Sequence, residues 1–354
     1  MTELCSSNDR AHGAGRPTAA PPPPTHHPRL ARLGAATRRR LVLLVLLVGV
    51  GVVALPTGGQ AQTVGFGSVG TAFDRTGPFA VTVNAESAHT YYAPTTLGAG
   101  GLRHPVILWG NGTFNTPSTY DAYLRHLASH GFIVAAANTS NSGSGREILA
   151  GLDNLTTKDR TAGNRFAGKV DVGRVAVMGY SQGGGGAMAA ARDPRVDTTI
   201  AIQPWQASTS GIRVPTLYLA GSSDAVVSAS SVRGYFNASS GVPAAYANVR
   251  GATHFEVLGD GGRFRGPATA WARYYLMADA NARSTFIGAS CTLCTSSALT
   301  EYQANARLAT SGPISPPTTP PSTTPTTTPT TAPPTTAPPT TRPPSTCRWW
   351  WWCR

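Results

Sequence analysis

A chain of 354 residues, 41% hydrophobic and 13% charged, is long enough for two or three domains and apolar enough for a buried core. Its formal net charge of +13 is spread along the chain: seven Arg face two acids in residues 1–61, 19 Lys and Arg face 14 Asp and Glu in 62–312, and three Arg lie beyond. The middle section holds only two lysines, Lys158 and Lys169, so it lacks the clustered basic face of a nucleic-acid binder, and no nucleic-acid partner is expected.

Residues 1–40, rich in Pro, Ala, Arg and His without apolar periodicity, read as a disordered basic leader. Arg38-Arg39-Arg40 then precede an uncharged apolar run over 41–55 and a small-residue stretch ending Gly59-Gln60-Ala61, so 41–61 read as a signal peptide. The run is shorter than the ~20 residues of a spanning helix and is broken at 56–59. Cleavage is therefore expected ahead of anchoring, with a secreted, extracellular product that meets a membrane only transiently. Five cysteines are present, and loss of Cys5 with the leader leaves Cys291, Cys294, Cys347 and Cys353, an even number that suits an oxidising compartment. Pairing of Cys291 with Cys294 and of Cys347 with Cys353 is one of three legal connectivities.

From 62 to 312 the composition is that of one globular domain. Apolar runs predict strands over 79–85, 105–109, 132–138, 174–179, 198–203, 215–220 and 244–250. Helical spacing falls between them over 119–130, 146–155, 187–192, 228–236 and 267–279, with Tyr120, Tyr123, Leu124 and Leu127 on one face of the first. This alternation points to βα units around a mostly parallel sheet. Residues 313–346 form a Pro/Thr-rich linker, an extended spacer at ~3.1 Å per residue. The tail 347–354, with four adjacent tryptophans between Cys347 and Cys353, is too short to bury a core and reads as a remnant rather than a domain.

Gly179-Tyr180-Ser181-Gln182-Gly183 is a G-x-S-x-G after a predicted strand and before a predicted helix, the setting of a nucleophile lifted on a strained turn. Gly183 to Gly186 each weaken the following helix by about 1 kcal/mol relative to Ala, which makes sense if the helix must approach the sheet or the substrate closely, a flexible glycine linker being the alternative. Beyond the leader the histidines are His89, His104, His126, His130 and His254, and only His254 follows Ser181, as the order Ser…Asp…His requires. His126 and His130 stand at i, i+4 without an acid at ligand spacing. His130 is expected at a helix C-terminus, where a cation is favourable. Between Ser181 and His254 lie Asp193, Asp197 and Asp224. The first two follow the helix after the nucleophile, whereas Asp224 follows a strand through Gly221-Ser222-Ser223, where catalytic groups collect in open α/β sheets. Asp224 is therefore the expected orienting acid. The oxyanion hole is expected from the backbone N–H of Gln182 and, in the glycine-rich loop 110–114, of Thr113, with Asn111 or Phe114 as alternatives. Trp205 and Phe114 are expected to flank an open cleft for a bulky acyl or aryl group. The short segment 207–213 leaves no room for a lid domain. This chemistry needs no cofactor and no metal ion.

At these residues the chain resembles the cutinase and polyester-hydrolase (PET-hydrolase-like) branch of the α/β-hydrolases. The similar stretches include Ser181-Gln182-Gly183-Gly184-Gly185-Gly186, Gln203-Pro204-Trp205, Val214-Pro215-Thr216-Leu217 and Gly251-Ala252-Thr253-His254. The resemblance implies an α/β-hydrolase fold, with a mostly parallel twisted sheet flanked by helices. It also implies Ser181, Asp224 and His254 as triad, Gln182 and Thr113 as oxyanion donors, and Trp205 as a stacking residue. The family usually has Met after the nucleophile and His before it, where this chain has Gln182 and Tyr180. The expected protein is a monomeric secreted serine carboxylic-ester hydrolase acting through an acyl-enzyme on an ester that is polymeric in the cutinase and polyesterase reading. The alternatives are an acetyl-xylan or related plant-polymer esterase, motivated by the Pro/Thr stalk, and a non-catalytic surface-binding protein on a hydrolase scaffold.

Overall fold

The computed structural model describes residues 65–313. The leader, the signal-peptide segment, the linker from 314 onward, the Trp-rich tail and a Cys347–Cys353 pair lie outside the described residues. Two antiparallel strands, β1 (Val81–Ala85) and β2 (His89–Pro94), come first. Then follow β3 (His104–Gly110), α1 (Asp121–Ser129), β4 (Ile133–Ala137), α2 (Arg146–Arg160), β5 (Val170–Tyr180) and α3 (Gln182–Ala190). The second half runs β6 (Thr198–Ile202), β7 (Thr216–Gly221), α4 (Ala229–Asn237), β8 (Ala244–Val249), α5 (Arg265–Met277), α6 (Ala280–Arg283), β9 (Leu299–Ala304) and α7 (Ala306–Thr310). They form one sheet in the order β1-β2-β4-β3-β5-β6-β7-β8-β9. Its centre from β4 to β8 is parallel, and β2 and β9 attach antiparallel at either side. This is the expected α/β-hydrolase arrangement.

The apolar runs of the sequence become strands because both faces of the sheet are covered. All seven residues of β3 are buried. Strand alternation sends Ile107 and Trp109, with Ala176 and Met178 of β5, into a core shared with α1 and α5. Val106 and Leu108, with Val175 and Val177, face the opposite core under α2 and α3. A third cluster joins α4 to Tyr218 and Tyr246. Such two-sided burial leaves ligands access only at the strand ends.

Several boundaries differ from expectation. Strand β2 was missed although Tyr91 and Tyr92 are buried, because its sequence His-Thr-Tyr-Tyr-Ala-Pro lacks an aliphatic run. The edge strand β9 and the short α7 were missed as well; β9 is mostly half-exposed and carries only Leu299 and Tyr302 as large apolar residues. Helix α5 starts at Arg265, two residues ahead of Pro267, since proline is tolerated in a first turn. Helix α3 begins at Gln182 and contains all four glycines. His130 caps α1 but is fully buried, its Nε2 bonding to the Arg75 carbonyl at 2.8 Å. Burial pushes its pKa down to about 4, so it is a neutral ring there and not the cation expected. Cys291 and Cys294 form a disulfide.

Candidate active site

Ser181 stands between β5 and α3 with φ 53° and ψ −119°, a backbone region that a non-glycine residue enters only when its surroundings hold it there. The turn is possible because its flanks have no side chains. A Cβ on Gly179 would overlap the Gly183 carbonyl, and one on Gly183 would overlap the backbone of Gly110. Further along α3, Gly185 and Gly186 lie against the carbonyls of Trp205 and Ser142. The glycine run thus seats the helix against three separate stretches of main chain, and so delivers the close approach expected of it.

Three loops bring the expected triad together. His254 Nε2 lies 3.0 Å from Ser181 Oγ, and His254 Nδ1 lies 2.8 Å from Asp224 Oδ2. All three residues are nearly buried, between 6% and 9% exposed. Asp224 Oδ1 accepts from the N–H groups of Val226 and Val227, both at 2.8 Å. The rejected carboxylates are used elsewhere: Asp197 accepts from Val175 N–H at 2.7 Å, and Asp193 pairs with Arg195 at 2.8 Å. The other four histidines of the described residues bond to main-chain carbonyls of Glu147, Gly131, Phe73 and Arg75. Burial lowers the pKa of each of them.

The N–H of Gln182, first residue of α3, belongs to those a helix leaves without an internal acceptor. Its side-chain Oε1 accepts from Ser142 N–H at 3.0 Å, tying the loop before α2 to the turn at Ser181. Thr113 lines the same cleft of about 380 Å³ as Ser181 and His254. Asn111 is fully buried as an anchor for that loop: its Nδ2 donates to the carbonyls of Ala137 (2.6 Å) and Thr139 (2.9 Å), and its Oδ1 accepts from Trp109 Nε1. Trp205 lines the cleft, 40% exposed. Phe114 is not among the residues lining it; its φ is 64° and it is 91% exposed. The apolar rim is completed instead by Val226 and Phe255, neither of which was singled out from sequence. Two more residues were missed. Tyr180 donates from its hydroxyl to the His254 carbonyl at 2.7 Å, and Gln203 donates to Asp224 Oδ2 at 2.7 Å. Another cleft, of about 410 Å³, carries Glu256 and Asp260, which are already paired with Arg263 and Arg265.

A family model described as PETase, PET hydrolase-like, matches residues 67–306, which is nearly the whole described region. The chain belongs to the PET hydrolase-like family. Among individual relatives it is 30% identical over 201 residues to the bis(hydroxyethyl) terephthalate hydrolase of Streptomyces coelicolor, covering 51% of this chain and 61% of that one. It is 31% identical over 198 residues to cutinase est1 of Thermobifida alba, covering 51% of this chain and 65% of the relative. Cutinase cut1 of Thermobifida fusca is 28% identical over 198 residues, with 51% and 60% covered. The chain therefore spans between 60% and 65% of the length of these relatives. Within the family's fold, it places Tyr180 and Gln182 around the central serine and Gln203 behind the central aspartate.

Proposed function

We propose that this protein is a serine carboxylic-ester hydrolase that acts on polyester or cutin-like esters through an acyl-enzyme. Ser181 Oγ attacks the ester carbonyl while its proton passes to His254 Nε2. The oxyanion that forms accepts from the N–H groups of Gln182 and Thr113, and each such donor is worth on the order of 3 kcal/mol to the transition state. His254 then returns the proton to the departing alcohol, and a water activated by the same ring releases the acid. Asp224 fixes the ring so that Nδ1 carries the hydrogen and Nε2 is free to act as base.

The single observation that carries this reading is the continuous relay Ser181–His254–Asp224, at 3.0 and 2.8 Å. The names of the relatives support an ester substrate. Half-exposed Trp205, Val226 and Phe255 beside the serine support a bulky acyl or aryl group. Export follows from the reading of residues 41–61 as a signal peptide. A hydrolysis panel of short and long p-nitrophenyl esters, a polyester film and acetylated xylan tests the assignment. Turnover of the film and the longer esters is expected; turnover of acetylated sugars alone would replace the polyester reading with that of a plant-polymer esterase.

A further inference from the structure

We propose that Gln203 is a positioning residue for this relay, its side-chain amide gripping the Asp224 carboxylate and the main chain ahead of His254 with one nitrogen. This rests on the esterase reading above. Gln203 follows β6, is fully buried, and has φ 44°, a left-handed backbone unfavourable for a residue with a Cβ. Its Nε2 donates to Asp224 Oδ2 at 2.7 Å and to the Thr253 carbonyl at 2.9 Å. Both hydrogens of one nitrogen are thereby spent on two different loops. Rotating the amide by half a turn would set Oε1 against two acceptors, so chemistry fixes its orientation. Oε1 itself is buried and has no partner among the described residues. A buried glutamine with an idle oxygen and a strained backbone is hard to explain as packing alone. Gly221 makes the space: a Cβ there would stand 2.9 Å from Gln203 Nε2.

The same short segment also holds the nucleophile. Ser181 N–H donates to the Ile202 carbonyl at 3.0 Å, and Trp205 N–H donates to the Ser181 carbonyl at 2.9 Å. Residues 202–205 therefore bond to Ser181, to Asp224 and to Thr253, the residue directly before His254. With Gln203 in place, Asp224 accepts four hydrogen bonds, from His254, Gln203, Val226 and Val227. Such a carboxylate cannot rotate, and Oδ2 shares its charge between the imidazole and the amide. Removing the amide leaves more negative charge facing His254 and favours the imidazolium. The other titratable or charged groups nearby are Tyr180, Tyr120 behind it, and Glu256 held by Arg263. Burial keeps both phenols neutral, and replacing Gln203 changes the charge of none of these groups.

The test uses Gln203→Met, which keeps the length and removes the donor, in the full chain with a soluble p-nitrophenyl ester. We expect kcat to fall about tenfold with KM little changed, and the acidic limb of the kcat/KM profile to move up by about one pH unit. A folded Gln203→Met protein with wild-type kcat and an unmoved limb would overturn the proposal. Should that variant fail to fold, Gln203→Glu provides the second reading. Its carboxyl can donate to Asp224 only while protonated, so activity relative to wild type should fall as pH rises through its titration; a constant ratio would overturn the proposal. Failure of the esterase reading is seen separately, in wild-type protein that turns over no ester, and that result would overturn both.

Discussion

The hydroxyl of Tyr180 donates to the carbonyl oxygen of His254 at 2.7 Å, and the two rings lie 5.0 Å apart. The residue directly before Ser181 is thus bonded to the main chain of His254, the proposed base. In Tyr180→Phe the ring packing survives and the carbonyl loses its donor. We predict a three- to tenfold fall in kcat and a loss of about 1 kcal/mol in stability, read as a melting point lower by roughly 2–4 °C. Steady-state kinetics and a thermal melt on one sample check both.

Asp224→Asn keeps the shape of the carboxylate but offers His254 an amide. The ring is then driven toward the tautomer with its hydrogen on Nε2, facing Ser181, where it cannot act as base. A fall in kcat of about 10⁴-fold is expected, with ester binding retained. Loss of less than tenfold would mean that the 2.8 Å contact between Asp224 and His254 does not orient the base.

Two glycine-to-alanine changes should have opposite signs. Alanine in a helix is worth about 1 kcal/mol over glycine. At Gly234 of α4 nothing lies within 4 Å of an added methyl, so Gly234→Ala should stabilise by that amount. At Gly186 of α3 the methyl would overlap the Ser142 carbonyl, and overpacking of about 3 kcal/mol should outweigh the helical gain. Denaturant unfolding of the two variants beside wild type measures the contrast.

Much of this architecture was legible in the sequence, and the exceptions have physical causes. Strands β3, β5, β6 and β7 announce themselves because burial on both faces demands unbroken apolar runs. Strand β2 pairs at the margin of the parallel block with tyrosines, and β9 is half-exposed, so neither needs such a run. Ser181, Asp224 and His254, the last within hydrogen-bond distance of the other two, were singled out because chain order and the turn residues around them leave few candidates. Gln203 and Tyr180 were not, since a polar residue that bonds across the fold leaves no local pattern. The one available hint was that Tyr180 and Gln182 stand where the family has other residues. Phe114 was expected at the cleft on its aromatic character alone, which says nothing of a residue left 91% exposed.

Acid should weaken the fold through two buried histidines. Burial, reinforced by neighbouring positive charge, pushes His126 down to about 3, and burial likewise pushes His130 down to about 4. In the unfolded chain both titrate near 6.5. Between about pH 6.5 and 4 the unfolded state therefore binds more protons than the folded one, and stability falls as pH falls. The stabilisation is present in full above 6.5 and has gone once pH drops below the folded values. At pH 5 each ring should cost roughly 2 kcal/mol relative to pH 7. Melting curves at pH 7, 6 and 5 should fall progressively, and His126→Gln should flatten the decline.

The account depends most on Ser181 being an activated nucleophile. A fluorophosphonate reacts only with a serine whose proton is taken by a positioned base. The full-length protein is treated with the probe and the adduct is located by peptide mass. We predict a single adduct on Ser181, absent in Ser181→Ala and slowed at least a hundredfold in His254→Ala. A folded wild-type protein that remains unlabelled, or one labelled at another serine, would contradict the account.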